Sequence, residues 1–196
     1  MRFAFWGAEE SGLLGSEYYV ENLSTAKRAK IYANLNFDML GSPNYVRFVY
    51  DGDGSAGSAS GPPGSDSIEK VFTDYFASKN LASDPTDFDG RSDYGPFIAA
   101  GIPAGGLFSG AEGVKTEEQE DVYGGTAGEP YDPCYHLACD DITNLSTNAL
   151  NELGDAAAHA TAVLTLSKAE LFPDGSRVMQ RQKAVEPRAK GHTLNR

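Results

Sequence analysis

Five side chains in this sequence are of the types that water-activating metal sites use. Zinc accepts imidazole nitrogen and carboxylate oxygen, which Glu10, Asp38, His136 and a second glutamate, Glu9, can offer. Two adjacent glutamates on an extended turn cannot both point the same way, so one can bind metal while the other takes a proton from water. The phenol of Tyr135, next to His136, can donate to a developing oxyanion. These residues together predict metal-assisted chemistry.

Each candidate also has a structural interpretation. Most acidic pairs that follow a strand are simply solvated, so Glu9-Glu10 is a weak signal when taken alone. Asp38 ends an otherwise apolar strand in Asn-Phe-Asp-Met, where functional and structural roles are equally reasonable. His159 lies in an Ala-rich helix and is interpreted as structural. His192 lies near the chain end and is interpreted as solvated.

The pattern of apolar residues predicts strands alternating with helices, which is typical of a layered α/β domain. The predicted strands are 2–6, 32–37, 46–50 and 102–108. The predicted helices are 13–23, one through 66–76, 93–100 and 148–166, with loops at 51–64 and 109–135. Because ligands bind beyond the carboxyl ends of such strands, the sheet edge carrying Glu9, Glu10 and Asp38 is the expected site.

Two of the helices have a clear apolar face. The first has helical spacing at Ile68, Val71, Phe72, Tyr75 and Phe76. Asp66, with Glu69 three residues later, predicts a capping box at its start. The last helix is expected to turn four apolar residues inward: Leu150, Leu153, Ala157 and Leu164.

Composition narrows the classes of function. The net charge of −12 disfavours binding to phosphate backbones, so no nucleic-acid partner is expected. No apolar run of about 18 residues is present, so no membrane span is expected. Residues 168–196 hold seven Lys or Arg against three Asp or Glu. We expect them to form a poorly ordered basic tail behind a domain of residues 1–167, with binding of an acidic partner as the alternative.

The two cysteines, Cys134 and Cys139, lie in a Pro- and Asp-rich loop. A zinc site would need two further soft ligands, and no other cysteine exists. A local disulfide needs nothing else and would indicate an oxidising compartment, so we favour it. Asn-x-Ser sequons at Asn22 and Asn144 agree with secretion, although such triplets also arise by chance.

Six segments occur in the order found in one peptidase family. They are RFAFWGAEESGLLGSEYYV, NFDML, GRSDYGPF, GIPAGGLFSGAEGVKT, GGTAG and YDPCYHLACDD. Their ordered combination over residues 2–166 resembles the secreted and vacuolar two-zinc aminopeptidases, which include the Streptomyces aminopeptidase and the fungal aminopeptidase Y and leucine aminopeptidase group. The resemblance implies a three-layer, zinc-exopeptidase-like α/β domain with a mixed sheet flanked by helices.

The resemblance also implies roles for individual residues. Glu9 would be the general base, Glu10 and His136 would share the first zinc, and Asp38 would bind the second. Tyr135 would stabilise the tetrahedral intermediate. Two zinc ions per intact site would then support removal of N-terminal, apolar residues from peptides.

A second set of residues matches the substrate-binding positions of the family. Met39 and Phe108 match positions near the pocket for an apolar N-terminal side chain, and Arg91 matches one near bound substrate. Core packing for the first two and a surface ion pair for Arg91 are the structural alternatives. The disulfide between Cys134 and Cys139 also matches the family.

The chain departs from the family upstream of the Glu-Glu segment. The family has a His ligand and a metal-bridging Asp there, in a part of the fold that would precede Met1. We therefore expect an N-terminally truncated member that lacks the N-terminal part of the fold, has an open sheet edge and is impaired in activity. The alternatives are a single-zinc enzyme like glutaminyl cyclase and a non-catalytic fragment. A secreted or vacuolar location is expected for the full-length product.

Overall fold

A computed structural model of the chain describes residues 1–57, 59–166 and Leu171. The strands are β1 (Asn34–Phe37), β2 (Phe48–Tyr50), β3 (Asp84–Thr86) and β4 (Ala104–Phe108). The helices are α1 (Leu14–Glu21), α2 (Thr25–Arg28), α3 (Ser65–Ser78), α4 (Gly95–Ala99), α5 (Glu117–Tyr123) and α6 (Thr147–Leu166), with a 3-10 turn at Ile142–Asn144. The predicted α/β class is confirmed.

The four strands form one mixed sheet in the order β1-β4-β2-β3. β4 runs parallel to β1 and antiparallel to β2, and β2 runs parallel to β3. Because β1 and β4 are parallel, their carboxyl ends meet at one edge of the sheet. Asp38 directly follows β1, and Phe108 ends β4 at the same edge.

Helices cover both faces of the sheet, which gives three layers. Successive residues of a strand face opposite sides, and β4 shows this directly. A side chain on Gly105 would lie 2.3 Å from Ile68 of α3, whereas Ala104 clusters with Tyr94 at the start of α4. Glycine at position 105 therefore lets α3 pack closely onto the sheet.

The main core lies between the sheet and helices α3 and α6. Its buried members are Val49, Ile68, Phe72, Phe76, Leu107, Leu153, Ala156, Ala160 and Leu171. The apolar face predicted for α3 is confirmed by Ile68, Phe72 and Phe76, each of which is completely buried. Burial of such side chains contributes about 2 kcal/mol each, so this layer stabilises the sheet that carries the site.

The inward face of α6 is offset from the predicted one. Its buried residues are Ala149, Leu153, Ala156 and Ala160, whereas Leu150 is 41% exposed. Small alanines allow α3 and α6 to approach, and this close packing selects a face that apolarity alone does not identify.

The predicted capping box at Asp66 is wrong. Helix α3 begins at Ser65, with Gly64 as its N-cap at φ 98°, and no side chain caps it. The Glu69 carboxylate instead accepts hydrogen bonds from the backbone N–H groups of Gly52 and Asp53, at 2.8 and 3.3 Å. Glu69 therefore bonds the loop that carries Gly52 and Asp53 and does not cap its own helix.

Residues 2–6 do not form the predicted strand. Phe3 and Phe5 are 75% and 97% exposed, and the segment pairs with no strand in the described part of the chain. Trp6 packs with its ring 5.1 Å from Tyr19 and 6.0 Å from Phe97, and the Arg2 guanidinium lies over the Tyr19 ring. A strand is defined by its ladder, so an apolar alternating segment without a hydrogen-bonding neighbour remains extended coil.

Helix α5 was missed, because it lies within the loop predicted for residues 109–135. Its sequence, EEQEDVY, has too few apolar residues for a helical pattern. The signal that identifies it is the capping box between Thr116 and Gln119, in which each side chain bonds the backbone of the other.

The basic tail predicted for residues 168–196 lies outside the described residues, except for Leu171. That leucine is 1% exposed within the main core. Among the helices that the structure describes, none has the length and apolarity needed to cross a bilayer.

Candidate active site

All eight residues predicted to bind metal or substrate or to act in catalysis line one cavity of about 430 Å³. They are Glu9, Glu10, Asp38, Met39, Arg91, Phe108, Tyr135 and His136. The cavity lies beyond the carboxyl ends of β1 and β4, where open α/β sheets bind ligands. Their individual roles stay predictions, but the fold brings the whole set together.

The adjacent glutamates lie on a tight turn before α1. The Glu9 carbonyl accepts the N–H groups of Gly12 and Leu13 at 2.9 and 2.8 Å. A side chain on Gly15 would lie 2.6 Å from the Gly7 carbonyl oxygen, so glycine is needed where the turn closes on α1. The turn therefore presents both carboxylates to the cavity.

Glu10 and His136 contact each other across 126 positions of sequence. Their Oε1 and Nε2 atoms are 2.7 Å apart, and both side chains are more than half exposed. The Cys134–Cys139 disulfide is present, with Cα atoms 5.3 Å apart, and it encloses the histidine in a short loop. The Tyr135 ring stacks on the imidazole at 3.8 Å.

Asp38 is oriented by a chain of two hydrogen bonds. Ser92 donates to the Asp38 carboxylate at 2.5 Å and accepts from the Asn36 side chain at 2.9 Å. Asn36 and Ser92 are both buried, so this arrangement is protected from water. Charged hydrogen bonds of this kind fix the direction of a potential ligand oxygen. Sequence reasoning did not identify Ser92, although it lies within the GRSDYGPF segment.

Negative charge is concentrated around Glu9. Burial raises the pKa of the Glu9 carboxyl, and the charges of Asp38, Glu10 and Asp93 raise it further, while His136 opposes them. Asp93 is 8% exposed, and its Oδ1 atom has no hydrogen-bond partner within the described structure. Such crowding of carboxylates is typical of sites that bind cations or move protons.

Arg91, one of the three residues predicted to bind substrate, lies in the lining of the cavity. Its guanidinium contacts the Glu112 carboxylate at 2.7 Å and the Tyr135 hydroxyl at 3.4 Å. The hydrogen bond and charge of Glu112 raise the pKa of Arg91, so the cation is permanent. Burial raises the pKa of the Tyr135 phenol, so that side chain stays a donor at neutral pH.

Backbone strain also concentrates here. Five non-glycine residues in the described structure have positive φ, and four of them belong to this site: Ala8, Leu13, Met39 and His136, at 56° to 60°. Each such residue costs about 1 kcal/mol or more and persists only where the surrounding fold imposes it. Met39 illustrates this, because its carbonyl accepts both the N–H and the hydroxyl of Ser109, at 2.9 and 2.7 Å.

We call Glu9, Glu10, Asp38 and His136 the rim cluster. Its imidazole and carboxylate donors fit the ligand chemistry of zinc. The ligand atoms of Glu10 and His136 are in contact at 2.7 Å, whereas the Asp38 carboxylate accepts the hydrogen bond of Ser92. This division is the one expected if Asp38 serves a different metal from the other two.

A second acidic set, Asp51, Asp53 and Glu69, is called the loop cluster here. Among the residues described, it alone brings three ligand atoms within 4.8 Å of one another. Asp51, however, accepts the N–H groups of Gly54, Ser55 and Ala56 at about 3 Å. Its oxygens therefore serve the loop that they close.

The fold and the cavity define an α/β protein with a carboxylate and imidazole site of the kind that binds zinc. The chain belongs to Peptidase family M28, whose profile matches residues 1–161. This membership confirms the family resemblance carried by the motifs.

Relatives and solved structures agree with that assignment. An "Aminopeptidase" of Pseudomonas aeruginosa is 55% identical over 167 residues, which cover 85% of this chain and 31% of the relative. A "probable leucine aminopeptidase 2" of Aspergillus oryzae is 50% identical over 189 residues, covering 95% and 38%. A zinc aminopeptidase structure from Bacillus subtilis has a TM-score of 0.63 at 27% identity, covering 86% and 37%. The chain thus spans about a third of the length of the curated relatives it matches.

Proposed function

We propose that this chain forms part of a zinc-dependent aminopeptidase that removes N-terminal, apolar residues from peptides. The observation that carries the proposal is the 2.7 Å contact between Glu10 and His136, inside a cavity that Glu9 and Asp38 also line. Family membership and the names of the relatives support it. They do not favour the glutaminyl-cyclase-like alternative.

The charge of the cavity explains a preference for the amino end of a peptide. Six acidic side chains line it: Glu9, Glu10, Asp38, Asp87, Asp89 and Asp140. Arg91 is the single Lys or Arg in that lining. Such a field attracts a free α-ammonium and repels a terminal carboxylate. Met39 and Phe108 supply apolar surface for the side chain of the terminal residue.

In the proposed reaction, Glu10 and His136 would hold one zinc ion, and Asp38 would contribute to a second. When bound, zinc supplies Lewis acidity that polarises a carbonyl and acidifies water. Glu9 accepts the proton of the attacking water and passes it to the leaving amine. Tyr135 donates its hydroxyl to the oxygen on which negative charge develops. Arg91 holds that phenol and the peptide at the rim.

The disulfide supports a location in which thiols are oxidised, because such bonds are rare where glutathione keeps cysteines reduced. We therefore infer a secreted or vacuolar product.

The test is hydrolysis of leucine p-nitroanilide with added zinc, together with the zinc content of the purified chain. Because the parent chain is expected to be impaired, turnover that falls to the uncatalysed background in Glu9→Gln supports the proposal. Glu117→Gln, the same change on exposed helix α5, is the matched control and should retain the parent rate. Two zinc ions per chain favour the aminopeptidase, one favours a single-zinc enzyme and none favours a non-catalytic fragment. Equal rates for Glu9→Gln and the parent would contradict the role of Glu9.

A further inference from the structure

His136, the histidine predicted to bind zinc, lies in an exposed part of the chain. All residues from 136 to 143 are exposed, and Leu137 is 59% exposed although it is apolar. The backbone hydrogen bonds here are local, because the Leu137 N–H donates to the Cys134 carbonyl at 2.8 Å and the Asp140 N–H donates to the Leu137 carbonyl at 3.1 Å. Burial therefore contributes little to fixing the position of His136.

The two ends of residues 134–139, called the histidine loop here, are held differently. Cys134 is anchored, because its N–H donates at 2.9 Å to the carboxylate of Asp132, which is buried. Cys139 is exposed, and its disulfide ties the far end of the histidine loop to the anchored end. This bond joins residues five positions apart and so closes a short loop that contains His136.

The backbone conformation of His136 requires such a constraint. Its φ of 58° is left-handed, which a non-glycine residue keeps only where the surrounding structure imposes it. The imidazole contacts Glu10 at 2.7 Å and stacks on the Tyr135 ring at 3.8 Å, but Tyr135 belongs to the same loop. When the disulfide opens, the histidine loop gains conformations in which the imidazole does not face Glu10.

We propose that the Cys134–Cys139 disulfide positions the zinc ligand His136, so that reduction of this bond by a thiol weakens zinc binding at the site. This inference rests on the proposed aminopeptidase function, in which Glu10 and His136 hold one zinc ion. A metal binds more weakly when a ligand must first be ordered, because the cost of ordering is subtracted from the binding free energy. The two cysteines are therefore positioning residues, and zinc occupancy follows the thiol redox state of the compartment.

Reduction begins at Cys139, the exposed residue of the pair. The thiolate of a small thiol such as glutathione attacks its Sγ atom, forms a mixed disulfide with it and displaces Cys134 as a thiolate. A second thiolate attacks the glutathione sulfur of the mixed disulfide and releases Cys139. Both cysteines then take up protons, so the protein disulfide is reduced to two thiols while two thiols are oxidised to one disulfide. The constraint on His136 is lost where thiols are abundant and kept where disulfides persist.

The experiment opens the histidine loop in two ways that leave no free thiol to bind zinc. One is Cys134→Ser combined with Cys139→Ser, and the other is the parent chain reduced and then alkylated with iodoacetamide. Calorimetric zinc titration should show about tenfold weaker binding at the site of Glu10 and His136 in both. The same serine changes in a His136→Ala chain should cause no further loss, because the ligand that the disulfide positions is already absent.

A zinc-free measurement reports on His136 directly. The chain has three histidines, and their imidazole signals are recorded by NMR before and after opening, with His136→Ala as the assignment control. Loss of the stack on Tyr135 should shift the His136 signal toward that of a free imidazole. His159, whose ring packs 4.8 Å from Tyr75, should keep its signal and so show that the fold persists.

Equal zinc affinities in the closed and opened chains would overturn this inference. So would a His136 signal that does not move, or a loss of affinity on opening that is the same with and without His136. If the parent with its disulfide intact binds no zinc, the proposed function is contradicted together with this inference. Zinc binding that is insensitive to opening contradicts the inference alone and leaves the peptidase.

Discussion

Two acidic clusters each contain an aspartate that directly follows a strand of the same sheet, Asp38 after β1 and Asp51 after β2, and they differ in what their oxygens contact. In the loop cluster, Asp51 is completely buried and accepts three backbone N–H groups, while Glu69 accepts two. In the rim cluster, Glu10 contacts an imidazole, and Asp38 contacts a hydroxyl inside an open cavity. The loop cluster has the tighter spacing of ligand atoms, yet its oxygens are occupied by the fold. Hydrogen-bond partners, rather than the density of acidic residues, distinguish a structural cluster from a reactive one.

The largest effect should come from breaking the loop cluster. Asp51→Ala removes a completely buried carboxylate that accepts the N–H groups of Gly54, Ser55 and Ala56, and at about 1 kcal/mol for each hydrogen bond we expect it to lower the free energy of unfolding by about 3 kcal/mol. Urea unfolding followed by circular dichroism measures this loss. Asp121→Ala is the control, because that side chain is exposed on helix α5, outside the loop cluster, and its urea midpoint should barely move. An Asp51→Ala chain as stable as the parent would show that the loop cluster is not structural.

A complementary change removes a ligand from the rim cluster. His136→Ala should weaken zinc binding by more than about 100-fold, because losing a ligand exceeds the 10- to 100-fold effect of losing an outer hydrogen-bond partner. Calorimetric zinc titration provides the measurement. His159→Ala makes the same change on α6, where the ring packs 4.8 Å from Tyr75, and should retain zinc affinity. Equal losses in the two variants would place the zinc elsewhere.

The hydrogen bond that orients Asp38 should matter less than a ligand does. Ser92→Ala removes the 2.5 Å donor to Asp38, and we expect about a tenfold loss of affinity for the second zinc with little change in the first. Ser92→Thr keeps a hydroxyl and should restore much of the affinity. If alanine and threonine behave alike, Ser92 acts through packing rather than through its donor.

The smallest effect concerns the stability that the fold loses when Glu9 ionises beside the other carboxylates of the site. Burial and the neighbouring carboxylates raise the pKa of Glu9, so its protonated form stabilises the fold at low pH and that contribution is lost as pH rises through the raised pKa. Zinc-free Glu9→Gln should therefore have a higher Tm than the parent at pH 8, by less than about 2 °C. The difference should vanish at about pH 3, below the ordinary pKa of a glutamate, where Glu9 is protonated in both states. A difference independent of pH would indicate a packing effect.

The layered fold was predictable from sequence because its signals are local. The apolar spacing of Ile68, Phe72 and Phe76 located α3, and the strands near 32–37, 46–50 and 102–108 were located to within two residues. The failures have non-local causes. Residues 2–6 have no neighbouring strand in the described structure and so form no ladder. Glu69 does not cap helix α3, because its carboxylate accepts the backbone N–H groups of residues 52 and 53. Pairing and competition for hydrogen bonds depend on segments that a local pattern does not contain.

The ordered motifs identified the site residues but not the neighbouring residues that contact and orient them. Glu9, Glu10, Asp38 and His136 were named from sequence, and the structure places them in one cavity. Ser92 and Glu112 were not named, because a serine or a surface glutamate has no chemical signature until its partner is known. Asp93, buried with an unpaired oxygen, was missed for the same reason.

By itself, the sequence determined the chemical types at the site, the family and the acidic field of the surface. These properties depend on which side chains are present and in what order. Only the tertiary structure decided which acids line the cavity, which way Asp38 points and that a second cavity adjoins the first. Those properties depend on contacts between residues more than 50 positions apart, such as Asp38 with Ser92 and Glu10 with His136. Long-range contacts of this kind form only when the chain has folded, because folding decides which donor pairs with which acceptor.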